Sequence, residues 1–150
     1  MLGRYELLSL CISSMYHDIQ KIERVEMARF GLKGPHAQCM LALSRHTGGL
    51  TVSQLCEICD KDKAAISRTV AELEHAGMIA RQERNGNRYR ALLTLTPQGV
   101  DAAQSVSERA RIAVEQAGVG LADDQRQIFY QVLSLIAGNL HTICKDGLSK

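Results

Sequence analysis

The sequence contains no tryptophan, two phenylalanines and two prolines in 150 residues. With so few large rings, its core must be mainly aliphatic. No apolar run reaches the roughly 18 residues that a membrane-spanning helix needs, so none is expected. The N-terminus lacks the order of basic, apolar and small residues that marks a signal peptide, and a cytoplasmic location is expected. Charge of one sign is scarce: the net charge is +2, so bulk charge does not announce a nucleic-acid partner. The five cysteines, Cys11, Cys39, Cys56, Cys59 and Cys144, are odd in number, and the chain is not small. Both facts speak against a disulfide framework. Absent too are a glycine-rich phosphate loop, a paired-carboxylate constellation and a nucleophile motif, so neither an enzyme nor a cofactor is expected. The length suits one domain with a real core, which a partner subunit can share.

What is present is mostly helical periodicity. Leu8, Ile12, Met15, Ile19 and Ile22 make one apolar stripe on a long first helix over residues 4–29. Pro35 opens a second helix that reaches about Arg45. Thr51 and Gln54 have capping-box spacing, so a short third helix starts there, with Leu55 and Ile58 facing inward. Asp62 suits the N-cap of a fourth helix over 63–76, whose buried face is Ile66, Val70 and Leu73. Gly77 ends it. The period then changes to two, and residues 78–83 and 89–96 read as strands. Asn85-Gly86 lies between them, in a loop somewhat longer than a tight hairpin. Thr96-Pro97 starts a fifth helix carrying Val100, Ala103, Val106, Ala110 and Val114. A last helix, about 122–144, places Ile128, Val132, Leu135, Ile136, Leu140 and Ile143 on one stripe.

This order predicts a mainly α fold with a small β-hairpin wing. A winged helix-turn-helix over residues 35–98 is flanked by long N- and C-terminal helices, 1–34 and 99–150. The flanking stripes exceed what a compact module of that size can cover, so they are expected to dimerise, each burying its stripe against a second subunit.

Two segments carry candidate chemistry. On the fourth helix, Lys63, Ala64, Ser67 and Arg68 fall off the apolar face near the N-terminal end, where recognition helices meet base edges. Small Ala64 and Ser67 permit close approach, and Arg68 suits guanine or phosphate. Lys61, in the preceding turn, adds a phosphate contact. The bland alternative is an ordinary amphipathic surface helix. In the hairpin, Arg81, Arg84, Arg88 and Arg90 face one acid, Glu83, leaving a local surplus of three positive charges. Arg88 at the tip suits a narrow minor groove. Arg84 and Arg90 suit phosphates. The alternative there is a solvated loop. Asp60, Glu72 and Glu74 oppose a nucleic-acid partner and are expected to face away from it.

A resemblance joins these pieces. Leu50-Thr51-Val52-Ser53-Gln54-Leu55 is followed by Ile66-Ser67-Arg68, then by Leu73-Glu74-His75-Ala76-Gly77-Met78-Ile79. After these come Arg81, Asn87-Arg88 and Leu95-Thr96-Pro97-Gln98-Gly99. The ordered set resembles the MarR family of bacterial regulators over nearly the full chain. The resemblance implies a homodimer on a pseudo-palindromic double-stranded DNA operator, usually as a repressor. It also implies release by a small aromatic or phenolic ligand, in a pocket to which His36, Met40 and Arg45 are candidates. Other members respond to cysteine oxidation or metal. Three positions depart from the pattern. Asn87 and Tyr89 stand where the family usually has Asp-x-Arg in the wing, which shifts the wing arginine to Arg88 or Arg90. Asn85 stands where proline is frequent. Lys61 occupies a usually apolar place.

The cysteines leave several readings open. Cys56-Glu57-Ile58-Cys59 lacks the second pair of a zinc site and the strand-to-helix setting of a thioredoxin motif. Buried filler is one reading. Another is a thiol metal or redox sensor like that of the ArsR family, whose motif is tighter. Cys11 lies where peroxide-sensing MarR relatives keep a reactive cysteine. His141 and Cys144 share a helix face. Two further classes stay in view: a thiol oxidoreductase built on Cys56 and Cys59, and a winged helix that binds only protein.

Overall fold

The computed structural model describes residues 1–84 and 86–148, apart from the side chains of Arg84, Asn87, Arg88 and Tyr89. In order, the elements are α1 (Arg4–Ala28), α2 (Gly34–Arg45), α3 (Val52–Cys59), α4 (Lys63–His75), β1 (Ile79–Arg84), β2 (Asn87–Leu95), α5 (Pro97–Ala117) and α6 (Asp123–Asp146). This is the expected mainly α fold, a winged helix-turn-helix with long helices before and after it. The chain divides into two compact units, Met1–Ile112 and Ala113–Lys150.

In the first unit, the inward positions of each element converge on one aliphatic core. Met27 of α1, Met40 and Leu43 of α2, Leu55 of α3, Ile66, Val70 and Leu73 of α4, Leu93 of β2 and Val106 of α5 are all buried. Full burial of side chains this size is worth about 1.5–3 kcal/mol each. On α3 the buried face is not Leu55 with Ile58. Val52, Cys56 and Cys59 pack against the core, while Ile58 is 46% exposed. At about 100° per residue, Cys59, Val52 and Cys56 lie roughly 40°, 60° and 100° to one side of Leu55, and Ile58 lies roughly 60° to the other. Likewise on α5, Gly99, Ala102, Ala103 and Val106 are buried, whereas Val100 is exposed.

The hairpin is antiparallel, with Ile79 opposite Leu95 and Arg81 opposite Leu93. The strands run closer to the turn than the alternation suggests: β1 ends at Arg84 and β2 begins at Asn87. Gly86 takes the left-handed conformation, at φ +70°, that the turn requires; Asn85 lies outside the described residues. The register shifts between Gln82 and Arg84, a bulge of the kind that increases twist. Leu50 bridges to Leu93 by two backbone hydrogen bonds, 3.0 and 2.8 Å, tying the α2–α3 connection to the hairpin.

In the second unit, Arg126 of α6 donates to Glu115 and to the Gly118 carbonyl, both at 3.1 Å, which fixes the α5–α6 turn. No residue of α6 is buried. Ile128, Val132, Leu135 and Leu140 of its stripe are exposed, as are Leu8, Ile12 and Met15 of the α1 stripe.

Candidate nucleic-acid interface

The turn between α3 and α4 is built by its acids. Asp60 caps α3 in the left-handed region, at φ 51° and ψ 50°, a conformation that aspartate tolerates better than most side chains. The Lys61 amide donates to the Cys56 carbonyl at 3.2 Å, closing the turn. Asp62 accepts from the Ala65 amide at 2.7 Å and so is the N-cap of α4. Its carboxylate is occupied by the helix end, where a negative charge is also favoured by the helix dipole. At the other end of the module, Thr51 and Gln54 satisfy each other's amides at 3.2 and 2.9 Å, the reciprocal capping box expected at α3.

With Ile66, Val70 and Leu73 turned into the core, the remaining face of α4 is open. Lys63, Ala64, Ser67 and Arg68 are all exposed, and so is Lys61 in the turn. The fold thus brings these five candidates together on one continuous strip. Arg90 of β2 is exposed as well. The side chains of Arg84, Asn87 and Arg88 lie outside the described residues.

The acids of α4 are taken up by neighbouring cations. Glu72 receives hydrogen bonds from Lys33 at 3.2 Å and from His36 Nε2 at 2.7 Å. The His36 Nδ1 accepts the Lys33 amide at 3.0 Å, so the ring hydrogen must sit on Nε2. These bonds, His36 first, hold the Glu72 carboxyl below its ordinary value. Glu74 is held by Arg81, whose Nε lies 3.1 Å away. Arg81 is therefore committed to α4. The sequence does not announce the Lys33–His36–Glu72 group, because its members come from two helices far apart in the chain.

Two further residues escape a reading by pattern alone. Thr96 Oγ1 donates to the Gly77 carbonyl at 2.6 Å and accepts the Gly99 amide at 3.1 Å. One hydroxyl thereby locks the end of α4 to the start of α5. A Cβ on Gly99 would stand 2.1 Å from the Met78 carbonyl oxygen, so only glycine fits there. Thr96 and Gly99 belong to the Leu-Thr-Pro-Gln-Gly motif, and their part is to fix the root of the wing.

Among the cysteines, Cys11 and Cys144 are exposed, Cys39 is buried, and Cys56 and Cys59 are half-buried, all as free thiols. Cys39 of α2 and Cys59 of α3 line the same cleft. Of the residues weighed for a ligand pocket, His36 and Met40 are buried and Arg45 is exposed. Among the described residues, no group of three or more His, Cys, Asp or Glu is placed to hold a metal ion.

A cap-defined helix-turn-helix, an exposed basic strip on its second helix and an adjoining two-stranded hairpin define a winged helix-turn-helix of the nucleic-acid-binding type. Residues 30–88 match the MarR family model. The chain is 24% identical over 104 residues to an uncharacterized HTH-type transcriptional regulator of Bacillus subtilis, YdgJ. That match covers 69% of this chain and 63% of YdgJ. It is 30% identical over 87 residues to a protein of Thauera aromatica, a candidate transcriptional regulatory protein for the hcr operon. This second match covers 58% of the chain and 52% of that protein, so the chain spans less than two thirds of both relatives. Its fold is similar to that of a candidate MarR-family regulator from Listeria monocytogenes, solved in complex with 26mer DNA. The TM-score there is 0.79 at 17% identity, covering 100% of this chain and 99% of the other.

Proposed function

We propose that this chain is a sequence-specific double-stranded DNA-binding transcriptional regulator that works as a homodimer on a pseudo-palindromic operator, as a repressor relieved by a small ligand. The exposed strip of Lys61, Lys63, Ala64, Ser67 and Arg68 carries this reading. It lies at the N-terminal end of α4, where a recognition helix enters the major groove, and the acids farther along the helix are held by Lys33, His36 and Arg81. The names of the relatives and the DNA bound by the Listeria protein support it.

In this reading, residues 35–98 bind DNA and residues 1–34 and 99–150 dimerise, the exposed stripes of α1 and α6 meeting a second copy. Arg68 reads a base, Lys61 and Arg90 hold phosphates, and Arg88 and Asn87 serve the wing, with Arg84 beside them on the backbone. The ligand is a small aromatic or phenolic molecule. The chain performs no catalysis and works in the cytoplasm, where the DNA is; among its described residues no helix is long and apolar enough to cross a membrane.

The test is selection of duplexes from a randomised library at two salt concentrations, with Arg68→Ala in parallel. An enriched inverted repeat, bound by a dimer with a steep salt slope, is expected. Arg68→Ala should lose about 1–3 kcal/mol at the preferred site. Weak, uniform binding with no enriched sequence would sink the reading and favour a winged helix that binds only protein.

A further inference from the structure

The first half of α2, the α3–α4 turn and α4 enclose a cleft of about 420 Å³. That volume falls within the usual range of small-molecule sites, roughly 300–1,000 Å³. Its apolar lining includes Cys39 and Ile66, both buried in the core. Lys33, Lys61 and Arg68 line the same cleft, and all three are exposed. Met40 and Arg45, weighed above for a small aromatic ligand, do not line it.

The charges around the cleft do not cancel. Glu72 is the one carboxylate of the lining, and both its oxygens are taken, Oε1 by Lys33 at 3.2 Å and Oε2 by His36 at 2.7 Å. His36 keeps its single ring hydrogen on Nε2 for that bond and adds no charge. Three cations against one carboxylate leave two positive charges in surplus. Lys61 and Arg68 supply them, since neither forms an ion pair among the described residues. Two unpaired cations over an apolar floor suit an occupant with a dianionic head and an apolar body. A carboxylate brings one charge. A phosphate monoester brings about two, with three acceptor oxygens, and a guanidinium can hold phosphate with two parallel hydrogen bonds. A DNA backbone phosphate brings one charge and has no apolar body to set against Cys39 and Ile66.

We propose that this cleft binds a small phosphate monoester with an apolar body, its phosphate held by Lys61 and Arg68 and its body against Cys39 and Ile66. Lys33 stays with Glu72 and screens that carboxylate from the ligand. Lys61 and Arg68 are also the proposed contacts to a DNA phosphate and a base, so ligand and duplex compete for the same two cations. This consequence rests on the DNA-binding reading above. Release then needs no movement of α4, because the ligand's phosphate takes the place of the DNA at both side chains. By mass action, the apparent duplex affinity falls by a factor of one plus the ligand concentration over its Kd.

The test is calorimetric titration of the full chain with n-butyl phosphate, and separately with inorganic phosphate, hexanoate and diethyl phosphate, followed by competition against the selected duplex. Saturable binding of n-butyl phosphate is expected, about tenfold tighter than that of each of the other three. Lys61→Ala and Arg68→Ala should each weaken it about tenfold, the scale of one charged hydrogen bond. Both side chains are exposed, so the fold survives their loss. Glu72→Gln should strengthen binding, because no carboxylate then opposes the cations. Absence of saturable heat, or wild-type binding by both alanine variants, overturns the site. Equal binding of hexanoate overturns the dianionic head, and equal binding of inorganic phosphate overturns the apolar body. Equal binding of diethyl phosphate makes the cleft a seat for the DNA backbone and overturns the small ligand. Ligand and duplex bound together overturn the competition. Because calorimetry needs no DNA, a chain that binds n-butyl phosphate but selects no duplex refutes the DNA-binding reading and leaves the site standing. A selected duplex with no ligand heat does the reverse.

Discussion

At Gly99, the missing side chain is the functional group. Helix propensity alone favours alanine over glycine by about 1 kcal/mol. The 2.1 Å approach to the Met78 carbonyl reverses that sign, because backbone on both sides must move to admit a methyl group. Gly99→Ala is expected to destabilise the protein by about 3 kcal/mol, at the upper end of overpacking costs. Denaturant unfolding checks this, and a neutral or stabilising effect would show that the contact yields cheaply. The motif around Gly99 is visible in the sequence, but this reason for it is not, since Met78 reaches Gly99 only after the hairpin has folded. Lys63, Ala64, Ser67 and Arg68 were legible as an exposed set, because helical spacing from Ile66, Val70 and Leu73 decides which way they point. That Cys39 and Cys59 line one cleft was not legible. No local spacing relates α2 to the end of α3, whereas Cys56 and Cys59 advertise themselves by proximity in the chain.

Among the elements, those with caps were the most readable. Thr51 with Gln54, and Asp62 with the Ala65 amide, stand where pattern places them, because a cap is a contact between residues three apart. Faces were less secure. Ile58 is the more apolar choice on α3, but Cys59 continues the Leu55 side and takes the inward place. The wing strands extend nearer the turn than alternation implies, because cross-strand pairing holds residues that carry no apolar signal. The Asp62 cap matters twice, once for α4 and once for the turn that presents Lys61. Asp62→Ala should cost about 1 kcal/mol of stability, read as a lower unfolding midpoint with an unchanged denaturant slope. A loss below a few tenths of a kcal/mol would mean that tertiary packing alone sets the start of α4.

At the scale of the molecule, two of the long helices, α1 and α5, meet through a buried carboxylate. Glu26 of α1, 4% exposed, accepts from Ser105 of α5 at 2.7 Å and from Arg29 at 2.9 Å, with Arg109 at 3.5 Å. The Ser105 hydrogen bond, more than either arginine, holds its carboxyl below the ordinary 4.5. A lowered folded value means that the stabilisation is complete above the unfolded value and is lost as pH falls through the folded one. Acid unfolding below about pH 4.5 should therefore be less steep in Glu26→Gln than in the wild type. Identical acid limbs in a pH series of thermal unfolding would remove Glu26 from that role. The exposed stripes of α1 and α6 were legible from their period, while what covers them belongs to the homodimer proposed above.

The Thr96 and Gly99 contacts have a mechanical meaning. The start of α5 meets the root of the hairpin backbone to backbone at Gly99, and the Thr96 hydroxyl ties it to the end of α4. They form a rigid joint. A displacement of the first turn of α5 should therefore be passed on to the root of the wing and to the end of α4. The wing root, the end of α4 and the first turn of α5 should thus move as one block.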